Sequence, residues 1–146
     1  MRFLCRLGLF AGLIAAGSLM SPSPSHAFSK ATQYLMQQAI ADGCGGRAGS
    51  FGSDGVFEAD LNGDGRDDLV LSHQGITCSG KPGTSLECGM QVCSIKVYIR
   101  KGGLLQLEEE FLGRIAGVTW IPELSFKIMS HGGQISDWRP DYGKSQ

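Results

Sequence analysis

The chain has little of what usually betrays an activity. Acidic and basic residues nearly balance, 14 against 13, for a net charge of −1, which excludes the strongly basic surface that nucleic-acid or anionic-membrane binding requires. Histidines number three, and His26 leaves with the leader described below, so imidazole chemistry rests on His73 and His131. No Gly-x-Ser-x-Gly nucleophile elbow occurs, so the run His131-Gly132-Gly133 lacks the serine that an esterase oxyanion tripeptide would serve. No segment repeats at a fixed period, which removes solenoids and multi-bladed propellers. The apolar region 7–20 is interrupted by glycines and too short to span a bilayer.

What is present begins with export. Arg2 and Arg6 precede that apolar region, and Ser25-His26-Ala27 supplies a small-x-small cleavage site, the pattern of a secretory signal peptide over residues 1–27. The mature chain then starts at Phe28, keeps no membrane anchor once the signal is removed, and is expected in the periplasm or outside the cell. Its length of about 120 residues suits one domain with a modest core. Residues 28–136 are expected to form that domain, and the tail 137–146 to fray. Four of the five cysteines remain, Cys44, Cys78, Cys88 and Cys93. An even count in an exported chain predicts two disulfides, whereas zinc would want a Cys-x-x-Cys pair that the sequence does not contain. Three pairings are open. The favoured one closes a short loop from Cys78 to Cys88 or Cys93 and gives Cys44 the remaining partner, tying the N-terminal segment to the later strands.

Residues 29–42 carry Ala31, Leu35, Ala39 and Met36, Ile40 at three- and four-residue spacing, with Ser29 as cap and Gly43 as stop, which predicts a helix. Six glycines between 43 and 55 predict a loop. Strands are expected at 56–59, 68–72, 93–100, 104–112, 118–121 and 124–129, while the polar stretch 73–92 offers no clear element beyond what its cysteines pin. Trp120 is expected in the core and Trp138 in the tail. Together these predict an α+β domain: a small antiparallel β-sheet of four or five strands covered by one N-terminal helix, with two disulfides.

The most informative motif is Asp60-Leu-Asn62-Gly-Asp64-Gly65-Arg66-Asp67-Asp68, followed by the apolar Leu69-Val70-Leu71. Oxygen donors on alternate residues, with glycine where the chain turns sharply, can wrap one hard cation. Taking Asp60 as position one, the ligands to Ca²⁺ would be the side chains of Asp60, Asn62, Asp64 and Asp68 and the backbone carbonyl of Arg66, with Asp67 pointing outward. An EF-hand needs a bidentate glutamate at position twelve, where Leu71 stands, so EF-hand switching is excluded. The loop running into a strand, Phe51-Gly52 ahead of it and Ile95-Lys96-Val97-Tyr98-Ile99 beyond, resembles the calcium-loop repeats of the FG-GAP and VCBS type. That resemblance covers residues 51–72 and, more weakly, 95–99, and implies a calcium-stabilised strand pair. The continuation Cys88-Gly89-Met90-Gln91-Val92-Cys93-Ser94 looks like that of small exported bacterial proteins with no assigned activity. Extracellular calcium modules bind with Kd values of about 10⁻⁴ to 10⁻³ M, which suits a structural ion.

Other candidates carry less. Glu108-Glu109-Glu110 would alternate across a strand, with Glu108 and Glu110 on one face. Trp120, Trp138, Tyr98 and Tyr142 could make a sugar- or protein-binding patch. The function expected is therefore an exported, calcium-stabilised, disulfide-bonded module without catalysis that binds a protein or a cell-envelope polymer. The alternatives are an inhibitor of an exported enzyme, presenting the 79–92 loop, or a small hydrolase using His131 or His73 with a carboxylate.

Overall fold

The helix forms where the apolar spacing predicts it. In the computed structural model, which describes residues 27–143, α1 (Lys30–Gly43) starts at Ser29, whose hydroxyl accepts from the Thr32 backbone N–H at 3.2 Å. All of the expected leader but its last residue lies outside the described residues. The helix entry is also tied to the sheet, because the Ser29 N–H and the Thr32 hydroxyl both donate to the Glu58 carboxylate. A carboxylate at a helix N-terminus satisfies orphan amides and opposes the positive end of the dipole.

Eight strands follow: β1 (Gly49–Phe51), β2 (Val56–Ala59), β3 (Asp68–Ser72), β4 (Ile76–Cys78), β5 (Cys93–Lys101), β6 (Leu104–Thr119), β7 (Ser125–Met129) and β8 (Ile135–Trp138). Six form one antiparallel sheet in the order β2-β3-β5-β6-β7-β8, and β1 pairs with β4 in a separate two-stranded sheet. The large sheet curls into a half-barrel, so that Phe57 of β2 meets Phe126 of β7 edge to face at 5.2 Å. The concave side holds Phe57, Leu61, Val70, Ile95, Phe126 and their neighbours. The other side packs Leu69, Leu71, Val56 and Ile76 under α1 through Ala39, Leu35 and Met36. β3 lies between the two clusters and is buried at every position, which is why it reads as an unbroken apolar run rather than an alternation.

The architecture overturns the α+β expectation. The protein is mostly β, with one helix and two sheets, and the larger sheet has six strands rather than four or five. Three local causes account for the difference. β6 runs without interruption through Gly113, where an added Cβ would lie 2.7 Å from Ile128 Cγ2, so it absorbs the segments that were expected as two strands. The residues of β1 sit in a glycine-rich stretch, yet they pair with β4 beside the Cys44–Cys78 bridge, an arrangement set by tertiary contact rather than by pattern. Finally, β8 replaces the beginning of the expected frayed tail. Trp138 packs on Phe111 and Phe126, with ring centroids 5.1 and 5.2 Å away, and Tyr142 joins the concave cluster. Trp120, expected in the core, is 53 % exposed.

The disulfides are Cys44–Cys78 and Cys88–Cys93, not the favoured loop from Cys78 to a later cysteine. Cys44 at the end of α1 reaches β4, and Cys88 faces Cys93 across a bridge at the start of β5.

Two substitutions test this packing. Phe126→Ala should cost about 3–5 kcal/mol of unfolding free energy, since the ring is fully buried between Phe57 and Trp138. Gly75→Ala should cost about 1–3 kcal/mol, because its Cβ would fall 2.7 Å from the Gly55 Cα. Urea unfolding of both variants beside the wild type reads these values, and wild-type stability in either would refute the packing at that position.

Candidate metal loop and buried histidine cluster

The 60–68 loop links β2 to β3 across one end of the curled sheet. Its turn is made by Gly63 and Gly65, both at φ +80°, a conformation that glycine adopts without a Cβ penalty. Asp60 organises the turn: Oδ1 accepts from the N–H groups of Asn62, Gly63 and Asp64 at 3.3, 2.7 and 3.2 Å, and Oδ2 from Gly65 at 2.8 Å. Asn62 Oδ1 accepts from the Asp64 N–H at 3.0 Å, and Asp64 Oδ1 from the Arg66 N–H at 2.9 Å.

Asp68 is inaccessible to solvent, and its two oxygens are divided between two backbones. Oδ2 accepts from Leu61 N–H at 2.9 Å within the loop, and Oδ1 from Arg100 N–H at 2.7 Å on β5. Burial raises its proton affinity above the usual carboxylate range, against the pull of the Arg100 and Leu61 amides. Arg66 adds a second link. Its guanidinium lies 2.8 Å from Asp64 Oδ2 and donates to the Gly102 carbonyl at 2.9 Å, in the turn between β5 and β6. The hydrogen bond from Arg66 holds the Asp64 carboxyl below its ordinary range.

All the donors the sequence assigns to calcium are hard oxygens, and the glycines stand where the loop must bend, so the donor chemistry fits a hard cation. The side chains are not gathered into a ready cage. Among the described residues, no group of three or more His, Cys, Asp or Glu side chains is poised to hold a metal ion. The Arg66 guanidinium engages one of these carboxylates, that of Asp64. Beside the loop opens a cleft of about 530 Å³ lined by Asn62, Asp64, Arg66, Lys101, Glu108 and Tyr142.

The other chemical cluster was not legible from spacing. His73, fully buried in the 3₁₀ turn after β3, has Nδ1 2.9 Å from Ser85 Oγ and Nε2 3.4 Å from Glu87 Oε2. Lys96 Nζ lies 3.0 Å from the same Glu87 oxygen and 3.8 Å from Glu110 Oε1. The serine, histidine and carboxylate make a chain of contacts, but Ser85 is 2 % exposed, so a substrate has no approach to its hydroxyl in this conformation. His131 lies in the exposed turn between β7 and β8, where the next residue, Gly132, donates to Gln91 Oε1 at 3.0 Å.

The three glutamates go to separate partners. A bulge between Val97 and Tyr98 breaks the register opposite them. Glu108 pairs with Lys101 at 2.7 Å, Glu109 accepts from the Tyr142 hydroxyl, and Glu110 accepts from the Ser94 hydroxyl at 2.5 Å. They do not form the facing pair of acids that glycoside cleavage needs. The tryptophans and tyrosines also divide: Tyr98 packs on the helix side, and Trp138 and Tyr142 on the concave side.

Asp68→Asn should destabilise the protein by about 1–3 kcal/mol whether or not calcium is added, because an amide NH₂ would replace one of two acceptors facing buried N–H donors. Chemical unfolding in chelator measures this, and an unchanged midpoint would sink the bridging role. In comparisons with family models, curated proteins and solved structures, the chain has no match.

Proposed function

We propose that this chain is an exported, non-catalytic binding module whose fold is held by two disulfides and by calcium at the 60–68 loop, and whose partner is a protein or a cell-envelope polymer. Asp60, Asn62, Asp64, Asp68 and the Arg66 carbonyl would hold the ion, which supplies charge neutralisation among the three carboxylates. The observation that carries this reading is the wiring of the loop. Through Asp68 and Arg66 it is joined to β5 and the β5–β6 turn, so an ion there would brace the central strands rather than meet a reacting group. The FG-GAP and VCBS resemblance of residues 51–72 points the same way. Export is supported by the two disulfides, and among the described residues no helix is long and apolar enough to cross a membrane.

The inhibitor reading has one observation in its favour. Met90 is 100 % exposed at the tip of the turn closed by Cys88–Cys93, and Leu86 in the same loop is 59 % exposed. Apolar side chains on a pinned loop lose little entropy on binding. A hydrolase built on His73 would first have to open the cover over Ser85.

Calcium at about 10–100 times its Kd should raise unfolding stability by about 1.5–3 kcal/mol, or roughly 5–15 °C in Tm. Asp60→Ala and Asp64→Ala should abolish the rise. Scanning calorimetry of the oxidised mature chain in calcium and in chelator decides the matter: coincident melting curves would overturn the calcium assignment, and hydrolysis lost on His131→Ala would overturn the non-catalytic one.

A further inference from the structure

Glu58 is the carboxylate that receives the start of the helix. Its oxygens accept the Ser29 N–H, at 3.3 Å from each, and the Thr32 hydroxyl. The residue is half-buried on β2, and among the described residues no lysine, arginine or histidine forms an ion pair with it. Arg100 reaches this corner, but its guanidinium goes to the Asp67 carbonyl at 2.7 Å and to the Ser29 hydroxyl at 3.4 Å. A half-buried carboxylate held by neutral donors alone keeps part of its desolvation cost.

Resting on the export reading, we propose that cutting the chain between Ala27 and Phe28 supplies the counter-cation. The new α-ammonium of Phe28 pairs with Glu58 and fastens the amino terminus to β2. In the cut, made by a leader peptidase, water adds its oxygen to the Ala27 carbonyl carbon and the C–N bond breaks. Ala27 leaves as a carboxylate at the end of the leader, and the Phe28 nitrogen becomes an amine that is protonated at neutral pH.

Several contacts place that nitrogen. The Phe28 ring packs against the apolar cluster under α1, and its carbonyl accepts from Gln33 Nε2 at 2.7 Å. The next nitrogen along the chain, that of Ser29, is already on the Glu58 carboxylate. One residue of backbone separates two successive nitrogens by about 3–4 Å, so the ammonium stands within about 7 Å of the carboxylate, where attraction persists at a half-buried site. Phe28 and Glu58 also line one cleft of about 450 Å³, so open space lies between them. Glu58 Oε2 accepts only the 3.3 Å contact from Ser29 and keeps lone pairs for a second donor.

The helix sets the sign of the alternative. An ammonium beside the positive end of the α1 dipole is repelled, so a new charge that missed Glu58 would weaken the fold. One that meets Glu58 strengthens it. Glu58 stands two residues ahead of Asp60, so the docked terminus also holds the entry to the 60–68 loop.

Thermal unfolding of the oxidised mature chain tests this in three forms: with a free Phe28 amine, with that nitrogen acetylated, and with Ala27 kept. Acetylation should lower Tm by about 2–5 °C, and keeping Ala27, which carries the charge one residue outward, should lower it too. In Glu58→Gln the acetylated chain should melt with the free one or slightly above it. A Tm unchanged or raised by acetylation of the wild-type chain would overturn the pair, and so would an equal drop in Glu58→Gln. The sign in the wild type needs no variant, so the pair is decided even if Glu58→Gln does not fold. The intact mass of the chain recovered from the periplasm of a bacterium expressing residues 1–146 separates the two readings. A start other than Phe28 overturns the cleavage and the proposal with it, whereas a Phe28 start beside an unfavourable melting result leaves export standing and removes the pair alone.

Discussion

One carboxylate joins the parts of this fold that are farthest apart in kind. Asp68 opens β3, the strand that both clusters of apolar side chains share, and its oxygens accept one N–H from the preceding loop and one from β5. A buried acid with two backbone donors exchanges its hydration for fixed hydrogen bonds, so it sets position rather than adding much net stability. The loop cannot shift without pulling the start of β3, and β3 cannot shift without disturbing Leu69, Val70 and Leu71 on both faces at once. Whatever binds at Asp60, Asn62 and Asp64 therefore acts on the centre of the sheet.

The parts of the chain that were legible from sequence are those whose pattern is local. α1 appears with Ser29 as its cap, where the sequence put it, and β2, β3, β5 and β7 fall at or within about a residue of the apolar runs that predicted them. The loop motif was visible because metal-type turns need particular residues at particular offsets. What stayed hidden depends on partners distant along the chain. The pairing of Gly49–Phe51 with Ile76–Cys78 gives no alternation to read, and His73 meets Ser85, Glu87, Lys96 and Glu110 only because the sheet and the covered segment bring them together. No spacing rule connects those five residues. Glycine density around β1 argued for a loop, and the backbone does bend there, but hydrogen-bonding to a neighbour overrides a weak local preference. The part Arg66 plays through its side chain was not legible, because the reach of its guanidinium to Gly102 required the hairpin to be in place.

Two kinds of restraint divide the molecule. Around the concave side, aromatic rings from β2, β7, β8 and β6 close on one another, Phe57, Phe126, Trp138 and Phe111 in succession, a contact surface that depends on the sheet's curl. Behind the sheet the apolar cluster under α1 is joined by polar and covalent ties: Glu58 at the start of α1, Cys44 at its end, and Arg47 gripping the carbonyls beyond β4. The first kind suits a core and is stiff.

The order of the disulfides has a bearing on how the chain reaches this state. The cysteines pair consecutively along the chain, Cys44 with Cys78 and Cys88 with Cys93. In a chain delivered amino-terminus first to an oxidising compartment, Cys44 meets Cys78 before either later thiol has emerged, and the second pair then finds only itself. The first bridge closes a ring around β1, β2, the 60–68 loop and β3, and β5 to β8 lie outside it. Were the chain exported as proposed, its delivery order and this connectivity would agree, and oxidation would ask for no reshuffling of bonds already made.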